Sequence, residues 1–149
     1  MIERTIRYQA AILQDSRILL VRTVVYPEGR DFWLLPGGGR QDGESEEECI
    51  LREVEEETYL KVRVERLLLH ETWQANKGYT QSKTYLCQVV EGQAAVGCEP
   101  EPELAGRYAI VEVGWFDLRD ESAWGEKLLG DPLTYPELKK IRKLLGFAA

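Results

Sequence analysis

Residues 35–60 read Leu35-Pro36-Gly37-Gly38-Gly39-Arg40-Gln41-Asp42-Gly43-Glu44-Ser45-Glu46-Glu47-Glu48-Cys49-Ile50-Leu51-Arg52-Glu53-Val54-Glu55-Glu56-Glu57-Thr58-Tyr59-Leu60. The glycine run breaks regular structure. Ser45, with Glu48 three residues on, is a capping box that starts a helix running to about Thr58. A helix turns about 100° per residue, so Glu56 falls roughly 60° to one side of Glu53 and Glu57 roughly 40° to the other. Those three carboxylates share a face, and Ile50, Leu51 and Val54 form the apolar face beside it.

Such a helix is strained when bare. Like charges at i,i+3 and i,i+4 destabilise by about 0.2–0.5 kcal/mol per pair, and more if partly buried. A divalent cation relieves the repulsion, and an all-oxygen donor set favours Mg²⁺ or Mn²⁺ over zinc. A solvated acidic face is the alternative for the helix taken alone. The three glycines ahead of it tilt the reading towards a site, because glycine lets backbone amides and carbonyls approach a phosphate–metal complex. Arg52 stands four residues before Glu56 and can fix its direction by an i,i+4 pair.

Outward from this segment, residues 5–13 and Arg17 to Val25 read as strands around a Gln14-Asp15-Ser16 turn. Tyr26 to Asp31 reads as a loop and Phe32 to Leu35 as a short strand. Val62 to Trp73 is β-rich, and Asn76-Lys77-Gly78 suits a hairpin turn into Ser82 to Val90. Glu91 to Arg107 reads as a loop, and Tyr108 to Phe116 as a strand. Asp117 to Asp131 is irregular or a short helix, and a helix runs from Pro136 to about Leu145. Thr134 and Glu137 resemble a second capping box, and Leu138, Ile141, Leu144 and Leu145 form that helix's apolar stripe. The order implies α/β architecture, a mixed sheet with helices on its faces, in a single domain over residues 1–149.

The net charge of −7 disfavours binding to a nucleic acid polymer but not to a nucleotide, because a bound cation reverses the local field. Three cysteines (Cys49, Cys87 and Cys98) without a C-x-x-C pair, and one histidine, argue against zinc and against a disulfide framework. The N-terminus lacks an apolar h-region and no run is long enough to span a bilayer. The expectation is a cytoplasmic protein with no membrane contact.

The glycine loop and acidic helix resemble the Nudix box, G-x5-E-x7-R-E-U-x-E-E-x-G-U with U a bulky aliphatic residue. Gly38 is followed after five residues by Glu44, then after seven more by Arg52, Glu53, Val54, Glu55, Glu56, Glu57, Thr58, Tyr59 and Leu60. Every fixed position matches except the last glycine, here Tyr59, and Leu35-Pro36-Gly37-Gly38 looks like the usual lead-in. The resemblance implies a Nudix-type α/β/α sandwich and a metal-dependent hydrolase cleaving the pyrophosphate bond of a nucleoside diphosphate linked to another moiety. It implies Glu53, Glu56 and Glu57 as ligands for Mg²⁺ or Mn²⁺, Arg52 as the residue orienting them, and Glu44 as a brace for the loop. The general base is Glu56, or else Glu101 or Glu103 in the late loop. Family members are often dimers, so a homodimer is one expected state. A catalytically weak nucleotide-binding or sensing module on the same fold is the alternative. An isomerase would need a catalytic cysteine opposite an acid, and Cys49 reads better as a packing residue.

Substrate contacts are less visible. Arg22, Arg30 and Arg40, with Gly37 and Gly38, are candidates to meet phosphates, although each arginine also suits a surface charge. Trp33, Trp73, Tyr79 and Tyr85 could stack on a base or pack the core. His70 reads as packed or surface-lying and not catalytic. At Tyr59 the chain either adopts a left-handed conformation, costing about 1–2 kcal/mol for a non-glycine residue, or ends the helix differently.

Overall fold

The computed structural model describes residues 5–25, 29–73, 78–97 and 108–147. Among these residues, seven strands, β1 (Ile6–Gln14), β2 (Arg17–Val25), β3 (Arg30–Leu34), β4 (Gly37–Gly38), β5 (Lys61–Thr72), β6 (Gln81–Glu91) and β7 (Tyr108–Asp117), join in one hydrogen-bonded network. The main path runs β3-β2-β1-β6-β5, with β4 added to β1 and β7 to β2. β1 and β6 are parallel and the remaining pairs antiparallel, so the sheet is mixed as the sequence implies. Among the described residues, three helices, α1 (Glu46–Thr58), α2 (Glu126–Leu129) and α3 (Thr134–Leu144), and one 3-10 turn (Glu121–Ala123) complete the order.

The alternation along β1 builds two cores from one strand. Tyr8, Ala10 and Ile12 pack with Cys49, Ile50 and Val54 of α1. Ala11 and Leu13 pack with Leu86, Leu138 and Ile141, the last two from α3. Helices therefore cover both faces, giving an α/β/α sandwich. Among the described residues, no helix is long and apolar enough to cross a membrane.

Two elements depart from the sequence reading. The glycine run does not leave regular structure entirely: Gly37 and Gly38 pair with Gln9 and Tyr8 as β4. The pairing demands glycine at 37, since a Cβ there would stand 2.7 Å from Gln9 Cα. The second departure is α3. It begins at Thr134, and its N-cap, Leu133, makes no side-chain cap bond. Asp131 Oδ1 instead accepts from the Leu133 and Thr134 amides at 2.8 and 2.9 Å, displacing the expected Thr134–Glu137 box. Glu137 is thereby left to turn elsewhere. The expected turn at Asn76-Lys77 and the loop residues Tyr26 and Pro27 lie outside the described residues.

Candidate active site

The Ser45 capping box forms as read: Ser45 Oγ accepts from the Glu48 amide at 3.0 Å and Glu48 Oε1 from the Ser45 amide at 2.9 Å. It fixes where α1 starts, and hence which residues face the glycine loop. At the other end Tyr59 is left-handed, with φ 63° and its amide bonded to Glu55 O. Tyr59 thus takes the left-handed conformation that a glycine would suit, and its side chain is exposed.

Arg52 is the hub of the cluster. Its Nε and Nη2 grip Glu44 at 2.6 and 3.0 Å as a two-pronged fork. Its Nη1 reaches Glu53 Oε1 at 2.8 Å and Glu56 Oε2 at 3.2 Å, and Nη2 also donates to Gly39 O at 3.1 Å. Glu57 is held separately, its Oε1 accepting from the Gly37 amide at 3.0 Å. Glu53 and Glu57 are buried, whereas the Glu56 side chain is 27% exposed. Gly38 touches the cluster through its missing side chain: a Cβ there would lie 2.6 Å from Glu53 Oε1. Glu44, Arg52, Glu53, Glu56, Glu57, Gly37 and Gly38 are thus brought together.

Three carboxylates bond one guanidinium, and a fourth, Glu57, is held beside them by the Gly37 amide. Burial pushes the Glu53 carboxyl up to about 7, with Arg52 opposing and Glu56 reinforcing the shift. Burial also raises Glu44, but the bonds from Arg52 and from the Gln41 amide outweigh it and bring the carboxyl below its usual value. The Arg52 guanidinium is held still more firmly protonated by Glu44.

Among the described residues, no three acidic, histidine or cysteine side chains converge as ready-made metal ligands, and Arg52 Nη1 bonds both Glu53 and Glu56. The donor set nevertheless fits a divalent cation. Its side chains are oxygen ligands, carry net negative charge and include a desolvated carboxylate at Glu53.

Other candidates go elsewhere. Arg22 is tied to Asp31 and Glu112 at 2.6 and 3.2 Å, and Arg30 lies over the Phe32 ring. Arg40 lies over the Tyr8 ring, its Nε buried without a hydrogen-bond partner. Tyr85 bonds Glu46, and Trp33 packs edge-on against Phe116. His70 is exposed and bonded to Gln81. The Cys49 thiol is fully buried and burial pushes it up to about 12, which suits packing and not nucleophilic chemistry. Glu101 and Glu103 lie outside the described residues, as does Cys98.

Two groups missed in the sequence reading stand beside the glycine loop. Arg7 donates to Leu35 O at 2.7 Å and to Gly37 O at 3.3 Å, bracing the lead-in. A cavity of about 530 Å³ opens next to it, lined by Arg7, Gln9, Leu35, Trp73, Tyr79 and Glu137 among others. Of this lining, Trp73 and Tyr79 had been read as aromatic residues that could stack on a base or pack the core.

Residues 5–134 match the NUDIX domain. The chain belongs to the Nudix hydrolase family. Among solved Nudix structures, a MutT NUDIX hydrolase from Burkholderia pseudomallei is 30% identical, with 92% of this chain and 97% of that one covered and a TM-score of 0.67. A UDP-X diphosphatase is 27% identical with a TM-score of 0.68; the match covers 98% of this chain but 64% of the length of that one. An ADP-ribose pyrophosphatase from Streptococcus suis is 26% identical, with 79% and 77% covered and a TM-score of 0.59. No curated protein matches the chain.

Proposed function

We propose that this Nudix protein hydrolyses the pyrophosphate linkage of a nucleoside diphosphate joined to another moiety, using Mg²⁺ or Mn²⁺ held by Glu53, Glu56 and Glu57. The observation that carries the reading is the Arg52 fork. One guanidinium aligns Glu44, Glu53, Glu56 and the Gly39 carbonyl, while the Gly37 amide holds Glu57. A purely structural acidic helix would not need its carboxylates turned inward against a glycine loop. The names of two similar structures, a UDP-X diphosphatase and an ADP-ribose pyrophosphatase, support the same bond class.

In this reading each residue has a distinct task. A bound divalent cation neutralises phosphate charge and lowers the pKa of water. Glu44 and Arg52 hold the loop and carboxylates in place before substrate arrives, which avoids reorganisation during reaction. Glu56, the most exposed of the three ligands, is one candidate to take the proton of the attacking water, and Glu101 or Glu103 of the late loop is the other. Gly38 leaves room for Glu53 to lie against the loop.

The test is product analysis over nucleoside triphosphates, nucleotide sugars, ADP-ribose and dinucleoside polyphosphates. Cleavage between the phosphates, giving a nucleoside monophosphate and a second phosphorylated product, is the expected outcome. Tight nucleotide binding with no turnover of any substrate would favour the sensing module.

A further inference from the structure

The cavity beside the glycine loop has a floor too specific for general packing. Gln9 is buried and its amide hydrogens are both engaged: Nε2 donates to Thr84 Oγ1 at 2.9 Å and to Glu137 Oε2 at 2.7 Å. Gln9 Oε1 accepts from Arg7 Nε at 3.1 Å. The amide is thus fixed in its orientation, and it fixes Glu137 in turn. Ser82 and Thr84 beneath are buried as well. Around this floor the walls are apolar, with Leu34, Leu35, Pro132 and Pro136. At the rim Trp73 and Leu133 remain 41% and 62% exposed.

A cavity of this volume, with apolar walls and a few polar and charged groups (Arg7, Glu71, Glu137 and Lys140), has the make-up of a small-molecule pocket. Exposed Trp73 offers a flat face for a ring to stack on. The cavity also adjoins the proposed cleavage site. Arg7 and Leu35 line it and are joined to the loop, and Tyr79 Oη lies 3.4 Å from where a Cβ on Gly39 would stand.

We infer that Glu137 is a specificity-determining residue, reading a base with two adjacent N–H donors, the guanine-type edge, in the diphosphate substrate. This rests on the pyrophosphate-cleaving reading above. Glu137 Oε2 already accepts from Gln9, but each oxygen of an ionised carboxylate has two lone pairs, so the pair still presents acceptors side by side, and a ring with a neighbouring imide N–H and amino group matches both. Uracil instead offers one N–H between two carbonyls, which would face a carboxylate with like dipoles. Burial holds the Glu137 carboxyl up at about 7; Gln9, Arg7 and Lys140 draw it down, and Glu71 pushes it up. Two donors from a ring favour the ionised form, so binding near pH 7 releases a proton.

The experiment compares GDP-glucose, ADP-glucose, CDP-glucose and UDP-glucose, which differ only in base, with wild type and Glu137→Gln. Cleavage of GDP-glucose by water breaks one P–O bond and yields GMP and glucose 1-phosphate. Calorimetric binding of GMP and UMP is run beside it, in two buffers of different ionisation enthalpy. Wild type is expected to favour GDP-glucose over UDP-glucose by roughly tenfold or more in kcat/KM. Glu137→Gln, checked for an unchanged unfolding midpoint, is expected to bring that ratio to within about threefold and to abolish proton release on GMP binding. Equal wild-type rates on all four substrates, or a guanine preference that survives in Glu137→Gln, would overturn the inference while leaving the cleavage reading intact. Should no NDP-glucose be cleaved but GMP bind in preference to UMP, the inference would stand and the wider substrate panel would decide the cleavage reading. If GMP were not preferred either, the inference would fall. Were the variant unable to fold, wild-type discrimination between GMP and UMP would decide alone.

Discussion

Replacing Gly38 by alanine places a methyl group where the Glu53 carboxylate stands. The new Cβ would lie 2.6 Å from Oε1, 2.7 Å from Cδ and 2.9 Å from Oε2 of Glu53. Ordinary contacts are near 3.5 Å, so the carboxylate must retreat by about 1 Å. Gly38 has no positive φ, so contact alone decides the outcome. The retreat pulls Glu53 from Arg52 Nη1, now at 2.8 Å, and out of line with Glu56. A misplacement of about 1 Å costs roughly 100-fold in rate. The stability cost is smaller, about 1 kcal/mol, because the obstructing atoms are the end of a side chain. For a chain of this size that is a fall of about 2–4 °C in Tm. Gly37→Ala is the control. Its Cβ would meet Gln9 Cα at 2.7 Å and Gln9 Cβ at 2.8 Å, forcing β4 away from β1. That change should cost about 3 kcal/mol or more. Steady-state kinetics and thermal unfolding on both variants give opposite signatures: Gly38→Ala folded but slow, Gly37→Ala poorly folded. Gly38→Ala working within about threefold of wild type would refute the argument, since Glu53 would then not need its place against the loop.

Other outcomes follow from the same contacts. Glu53 must ionise to bind a cation, and burial holds it at about 7, so Mn²⁺ should bind about tenfold more weakly at pH 6 than at pH 8. The linkage has a matching sign. The raised Glu53 contributes stability to the metal-free fold at low pH and loses it as pH rises through 7, so Mn²⁺ should raise Tm more at pH 8. A larger shift at pH 6 would contradict this. Arg52→Lys keeps the charge but not the fork to Glu44, Glu53 and Glu56; kcat should fall by roughly 100-fold with a smaller change in KM, read by steady-state kinetics. Tyr59→Gly relieves a left-handed φ of 63° and should stabilise the protein by about 1 kcal/mol in denaturant titration. Destabilisation would show that Tyr59 makes contacts worth more than its backbone strain.

What could be read from the sequence was local. The Ser45–Glu48 box and the shared face of Glu53, Glu56 and Glu57 depend on spacings of three and four residues within one helix, and both stand in the fold. Arg52 was read as a partner of Glu56, but its stronger grip is on Glu44, eight residues back, because the loop folds over the helix. The cavity was invisible for a similar reason. Gln9 and Glu137 meet across 128 positions, and only the parallel pairing of β1 with β6 and the packing of α3 bring them together. Glu137 was misread as part of a cap because Thr134 stands three residues before it; α3 starts at Thr134 itself, and Asp131, three residues ahead of it, accepts the amides instead. Arg22 was a candidate for phosphate, yet Glu112 stands opposite it on β7 and Asp31 reaches it from two positions along β3, pairings that sequence does not register.

The most direct measurement is cation-dependent cleavage by wild type and by Glu56→Gln/Glu57→Gln on the best substrate found, titrated with Mg²⁺ and Mn²⁺ and run with a chelator. If the α1 carboxylates form the metal-bearing site, wild-type turnover should require the cation. The variant should then lose at least about 100-fold in kcat/KM while keeping its fold. Turnover that persists in chelator, or a folded variant that matches wild type, would contradict the site built on Glu53, Glu56 and Glu57.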